Sequence, residues 1–114
     1  MVEDEEGVRK LTVDILSGSG YRVLQACDGL EALDILERER VDLLVTDAIM
    51  PGMGGVELFR TLNRKKPEIR AIFISGYSGE DIIQREGLDN DSVFLQKPFK
   101  SAELVGKVRE VLSG

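Results

Sequence analysis

Residues 42–55 read DLLVTDAIMPGMGG, and this stretch decides the fold. It begins with a short apolar run, Leu43-Leu44-Val45, bounded by polar residues. Such a run predicts a strand over residues 43–46 that is covered on both faces, as strands of parallel sheets are. The run stops at Asp47, and Pro51, Gly52, Gly54 and Gly55 then impose a loop. A carboxylate is thereby set at the carboxyl end of a parallel strand, the edge at which open α/β sheets bind ligands.

Outward from this stretch, helical and strand patterns alternate. Upstream, Val8, Leu11, Ile15 and Leu16 have helical spacing and predict a helix from about residue 5 to 17, ended by Gly18 and Gly20. RVLQA at 22–26 predicts a short strand. Asp28 is placed to cap a helix marked by Leu30, Leu33 and Leu36 and running to about Arg38. Downstream, Val56, Phe59 and Leu62 predict a helix over 55–64, closed by Pro67. AIFI at 71–74 predicts a second doubly buried strand, ending in Ser75-Gly76. Ile82 and Ile83 suggest one or two helical turns after Gly79, interrupted by Gly87 and the polar run Asp89-Asn90-Asp91. Residues 93–95 predict the last strand, ending at Lys97-Pro98. Ser101 is expected to cap a final helix with a stripe of Leu104, Val108, Val111 and Leu112. Strictly alternating units imply a parallel sheet with helices on both faces.

The chain has 114 residues, of which 42% are hydrophobic, and predicts one globular domain over 1–114. No apolar run approaches the roughly 20 residues of a membrane span, and no signal-peptide pattern opens the chain. A soluble cytoplasmic domain without membrane contact is expected. Cys27 is the single cysteine and reads as a small packed or half-exposed thiol. A net charge of −6 disfavours direct nucleic-acid binding and suits a basic partner surface. The sequence contains no histidine, which excludes Ser-His-Asp and Cys-His nucleophiles and His-containing zinc sites within it. Carboxylates, hydroxyls, lysine and a hard metal remain for chemistry.

Several predicted strands end in such groups. The stub Met1-Val2 runs into Glu3-Asp4, and later strands end at Asp47, Ser75 and Lys97. In a parallel sheet these ends share one edge. Clustered carboxylates repel unless a cation joins them, and hard oxygens suit Mg²⁺. A carboxylate can attack phosphorus to form an acyl phosphate. Lys97 can pair with the transferred oxygens, and Ser75 can donate a hydrogen bond to them.

The chain resembles the receiver domain of two-component response regulators. The resemblance covers nearly the whole chain and rests on VEDE at 2–5, DLLVTDAIMPGMGG at 42–55, FISG at 73–76 and FLQKPF at 94–99. The string D-x-x-M-P-G-M-x-G together with the later K-P-F is its specific part. The resemblance implies a flavodoxin-like, doubly wound, parallel five-stranded sheet in the order 2-1-3-4-5. It makes Asp47 the phosphoacceptor, Lys97 the phosphate partner and Ser75 the hydroxyl that turns toward the phosphoryl group. Mg²⁺ falls to Glu3, Asp4, Asp47 and the backbone carbonyl of Ile49. Phe94 is the switch aromatic that moves with Ser75, Lys97-Pro98 a cis peptide, and Ile49 and Tyr77 the flanking residues that influence acyl-phosphate hydrolysis.

The implied role is a signalling module, self-phosphorylating and slowly self-dephosphorylating, and not an enzyme. The donor is a sensor histidine kinase or histidine phosphotransfer domain, the output a change at the face of the last two helices and last strand, and a dimer is compatible with it. SGYSGED followed by LDNDSVFLQKPF is similar to C-terminal receivers of hybrid sensor histidine kinases.

In this family the first strand lies mid-sheet and carries several apolar residues before the acids; here only Met1 and Val2 stand there. Each fully buried apolar side chain contributes about 1.5–3 kcal/mol. The expectation is therefore residues upstream of this sequence, a strand supplied by a second chain, or a marginal domain that binds Mg²⁺ weakly. The shortened strand also favours an alternative role, a non-phosphorylated receiver-like interaction module. An aspartate-based phosphohydrolase would need a second acid where Ile49 stands, and a flavodoxin would need a Ser/Thr/Gly-rich loop where EDEE stands at 3–6.

Overall fold

Leu43, Leu44 and Val45 carry no polar side-chain atoms to keep wet, and they open β1 (Leu43–Asp47), the strand on which the sheet is built. The computed structural model describes residues 1–88 and 92–113. β1 pairs in parallel with β2 (Arg70–Ser75), and β2 with β3 (Val93–Gln96), giving the order β1-β2-β3. Five helices connect or flank these strands: α1 (Glu6–Gly18), α2 (Gly29–Arg38), α3 (Gly55–Lys65), α4 (Gly79–Glu86) and α5 (Ser101–Ser113).

The expected first and second strands survive as single bridges. Val2 bridges Ala26 on one side and Thr46 on the other, both in parallel sense. The Val2 N–H donates to the Val45 carbonyl at 2.8 Å, and the Val2 carbonyl accepts from the Asp47 N–H at 3.1 Å. On the other side, the Ala26 N–H donates to the Met1 carbonyl at 3.0 Å and the Glu3 N–H to the Ala26 carbonyl at 3.1 Å. Residues 1–3 are thus inserted between Ala26 and β1, and the segments lie side by side in the doubly wound order that the resemblance implies. The strand expected over 22–26 does not form as such. A ladder needs a partner, and among the described residues no strand lies opposite Arg22 and Val23.

Side chains alternate across the sheet. Val45, Ile72, Ile74 and Leu95 pack with Leu16 of α1 and with Leu104 and Val108 of α5. Leu44 faces the other way, with Ala32 and Leu36 of α2 and Leu58 and Leu62 of α3. Phe73 shares that second side with Val56 and with Ile82 of α4. Leu58, Ile72, Ile82 and Leu104 are fully buried, each contributing about 1.5–3 kcal/mol.

Three local readings are corrected. Leu11 and Leu30, expected on core faces, are 61% and 71% exposed, and Thr12 and Ala32 take the inward positions. Thr12 can do so because its hydroxyl donates to the Val8 carbonyl at 2.8 Å within α1. Ser101 is the first residue of α5 and not its cap; the reach-back contact runs from the Lys100 N–H to the Glu103 carboxylate at 3.1 Å. By contrast, the Asp28 side chain caps α2 by accepting from the Glu31 N–H at 2.8 Å. Asp28→Ala should cost about 1 kcal/mol in urea unfolding with an unchanged slope. α4 ends where Gly87 adopts a left-handed φ of 67°, while the run 89–91 lies outside the described residues.

Upstream of Met1 the two walls of the sheet stand apart. A cavity of about 270 Å³ lies between residues 22–25 and 41–45. No helix among the described residues is long and apolar enough to cross a membrane.

Candidate functional site

The carboxyl ends of the strands bring the sequence-predicted groups together. β1 delivers Asp47, which is 8% exposed, and β2 delivers Ser75, which is buried. The chain leaves β3 at Gln96 and presents Lys97, whose N–H donates to the Ser75 carbonyl at 2.8 Å. Lys97 is followed by a cis peptide to Pro98. Residues 1–3, wedged beside β1, bring Glu3 to the same edge.

The Lys97 ammonium sits between two carboxylates, 3.1 Å from Glu3 Oε1 and 3.1 Å from Asp47 Oδ2. Glu3 is fully buried and Asp4 is exposed. One carboxylate oxygen from each of Glu3, Asp4 and Asp47 lies within 4.8 Å of the others. One ammonium therefore covers two of three clustered acids. This all-oxygen donor set, with unbalanced negative charge, fits a hard divalent cation such as Mg²⁺.

Burial pushes the Glu3 carboxyl up to about 7, with further upward pressure from the hydrogen bond to Asp4 and the charge of Asp47, against the opposing pull of Lys97. Burial pulls the Lys97 ammonium down, but its ion pairs with Asp47 and Glu3 outweigh that and hold it above the ordinary lysine range. The raised Glu3 value has a stability consequence. Its contribution is complete below the ordinary value of 4.5 and is lost as pH climbs through about 7. The metal-free protein should therefore melt lower above about pH 7 than near about pH 5, and Mg²⁺ should raise the melting temperature more at the higher pH. An Mg²⁺ effect independent of pH would contradict this.

Ser75 Oγ accepts from the Tyr77 N–H at 2.9 Å. The Ile49 N–H donates to Asp47 Oδ1 at 3.3 Å, and the Ile49 side chain is 40% exposed beside the site. Tyr77 is exposed, with the Arg85 guanidinium 4.9 Å from its ring centre. Phe94 is half-buried, its ring 5.8 Å from that of Phe73 and packed against Gly79, where a Cβ would meet it at 3.1 Å.

Sequence reasoning did not single out Arg9. Its guanidinium donates to the Glu3 carbonyl at 2.9 Å and to the Gln25 side chain at 3.3 Å, tying the short first segment to its neighbour. The available signal was a basic residue about one helical turn after the acidic run. Nor did it place Lys97 on Glu3, because an ion pair across 94 positions has no local signature.

The profile of the response regulator receiver domain matches residues 1–109. Sensor kinase CckA of Brucella abortus is 40% identical over an alignment that covers 98% of this chain and 12% of that protein. Sporulation initiation phosphotransferase F of Bacillus subtilis is 34% identical over 98% of this chain and 90% of its own length. Among solved structures, a CheY-like receiver domain protein from Methanospirillum hungatei superimposes with a TM-score of 0.84 at 28% identity, covering 98% of this chain and 90% of that one. With its doubly wound sheet and an acidic cluster at the strand ends, the chain belongs to the response regulator receiver domain family of two-component signalling.

Proposed function

We propose that this receiver takes a phosphoryl group from a phosphohistidine onto Asp47 in an Mg²⁺-dependent reaction and thereby switches a protein-interaction surface. The observation that carries this reading is the Lys97 ammonium held 3.1 Å from both Asp47 and Glu3 at the strand ends. Glu3, Asp4 and Asp47, with the backbone carbonyl of Ile49, would hold the Mg²⁺. When bound, that ion supplies positive charge against the phosphoryl oxygens.

The step itself falls to residues of the chain and to the donor. A carboxylate oxygen of Asp47 attacks phosphorus, forming a P–O bond as the P–N bond of the donor breaks. The electron pair stays on the imidazole nitrogen, which takes up a proton. The sequence contains no histidine, so the donor lies outside these residues, on a sensor histidine kinase or histidine phosphotransfer domain. Lys97 exchanges a carboxylate partner for phosphoryl oxygens, and the Ser75 hydroxyl turns to donate to them. The added charge is about −1.5 to −2. Phe94 follows Ser75 and shifts a pre-existing equilibrium at the face of α4, β3 and α5.

Intact-mass measurement after incubation with acetyl phosphate and Mg²⁺ tests the proposal. The expected result is a gain of one phosphoryl group, reversed by hydroxylamine as an acyl phosphate would be. An unchanged mass in a folded sample would favour a receiver-like interaction module that is never phosphorylated.

A further inference from the structure

Glu3 and Asp4 share one peptide plane, and Arg9 of α1 holds it. The Glu3 N–H donates to the Ala26 carbonyl at 3.1 Å, next to the bridge of Val2 to Ala26. The evenly spaced bonds of a parallel ladder would next carry the Asp28 N–H to the Glu3 carbonyl. Asp28 instead turns away to cap α2, and among the described residues no main-chain N–H takes its place. The half-buried Arg9 does so with its guanidinium. One nitrogen donates to the Glu3 carbonyl at 2.9 Å, and another to the Gln25 side-chain oxygen at 3.3 Å. A planar guanidinium fork can hold two acceptors in fixed geometry, which an ammonium on a flexible stem does not. Because a peptide unit is planar, fixing the Glu3 carbonyl also fixes the nitrogen of Asp4. The buried Glu3 side chain has a second hold, Lys97 at 3.1 Å. Asp4 is exposed, so its place beside Glu3 and Asp47 depends on that plane.

We propose that Arg9 is a positioning residue for the divalent cation: its guanidinium stands in for a missing ladder bond and keeps the carboxylates of Glu3 and Asp4 within reach of Asp47. The inference rests on the cation reading given above. Arg9 acts through the main chain and touches none of the three carboxylates that would hold the ion. Those carboxylates place an oxygen each within 4.8 Å of the others, so without a cation they repel. The cluster should open at its least restrained member, Asp4. Removing the guanidinium leaves the repulsion and takes away the restraint. Groups that orient metal ligands typically contribute about 10–100-fold to affinity when they touch the ligand side chain. Acting one peptide further away, Arg9 should contribute about fivefold.

The test measures Mg²⁺ affinity by calorimetry, well below the melting temperature, in the parent chain, Arg9→Ala, Arg9→Lys and Val108→Ala. Val108 is buried against α5's own layer of the core and serves as the control for lost stability alone. Arg9→Ala should weaken Mg²⁺ binding about fivefold or more. Arg9→Lys keeps the charge without the fork and should weaken it by at least about threefold. Val108→Ala should melt lower and bind Mg²⁺ as the parent does. In labelling by acetyl phosphate, Arg9→Ala should need correspondingly more Mg²⁺ for half-maximal rate, while the rate at saturating Mg²⁺ stays within about twofold of the parent. Parent-like affinity in Arg9→Ala overturns the inference. Parent-like affinity in Arg9→Lys overturns it too, in favour of charge alone, and equal weakening in Val108→Ala overturns it in favour of general destabilisation. A lower maximal rate with an unchanged Mg²⁺ requirement likewise overturns it. Failure of the cation reading is seen separately, in a folded parent chain that binds no Mg²⁺, and takes this inference with it.

Discussion

Asp47→Asn takes up no label from acetyl phosphate or from a phosphorylated donor domain, while the parent chain is labelled. The substitution keeps the side chain's size and removes the anionic oxygen that would attack phosphorus. Folding should survive it. Lys97 loses the partner at 3.1 Å on Asp47 but keeps the one at 3.1 Å on Glu3. One of three crowded carboxylates also disappears, which relieves repulsion in the metal-free state. The expected outcome is a melting temperature equal to or above that of the parent, with uptake below detection. Undiminished uptake by the variant would move the reactive group elsewhere and sink the assignment.

Gly55→Ala is expected to be the most damaging small substitution in the chain. Gly55 opens α3 directly behind the end of β1, and its N–H donates to the Ala48 carbonyl at 2.9 Å. A Cβ there would lie 2.1 Å from the Asp47 carbonyl oxygen and 2.8 Å from the Thr46 side chain. The nearest obstacle is main chain of a buried strand, which has nowhere to go. Overpacking typically costs about 1–3 kcal/mol where side chains can yield, and this contact should reach or exceed the upper figure. On a domain of this size that lowers the melting temperature by about 10–20 °C. A shift of less than a few degrees would show that α3 can slide away from the strand. The glycine cluster after Asp47 thus has a second role besides making a loop: it lets a helix start against the strand that holds the acid.

Much of this was legible beforehand, and particular residues show why. The runs at 43–46 and 71–74 announce buried strands because helices cover both faces of a parallel sheet, so its strands are apolar along nearly their whole length. Asp28 announces its cap because capping is local. Ser101 misled for the same local reason: the start of α5 is set by Glu103 reaching back to Lys100. Leu11 and Leu30 fit a helical stripe, yet which arc of a helix faces inward is decided by the sheet behind it. RVLQA has the composition of a strand, but among the described residues it pairs only through the bridge of Ala26 to Val2. The convergence of Glu3, Asp47, Ser75 and Lys97 could be read only through the topology, since nothing between positions 3 and 97 encodes the distance that separates them in space. Arg9, unnoticed in the sequence, ties down the short segment that carries the acidic pair by donating to the Glu3 carbonyl.

The helices are not held equally. Among the described residues α4 fully buries one side chain, Ile82, whereas α3 buries Gly55, Val56, Leu58 and Leu62. Its far end hangs from the Arg60 guanidinium, which donates to the Glu86 and Gly87 carbonyls. Detaching α4 therefore gives up the burial of Ile82, its packing with Phe73 and Val56, the Phe94 contact at Gly79 and a surface tether. With the smallest buried contribution of the five helices, α4 should open at the lowest cost, and a protease should nick it before any other helix.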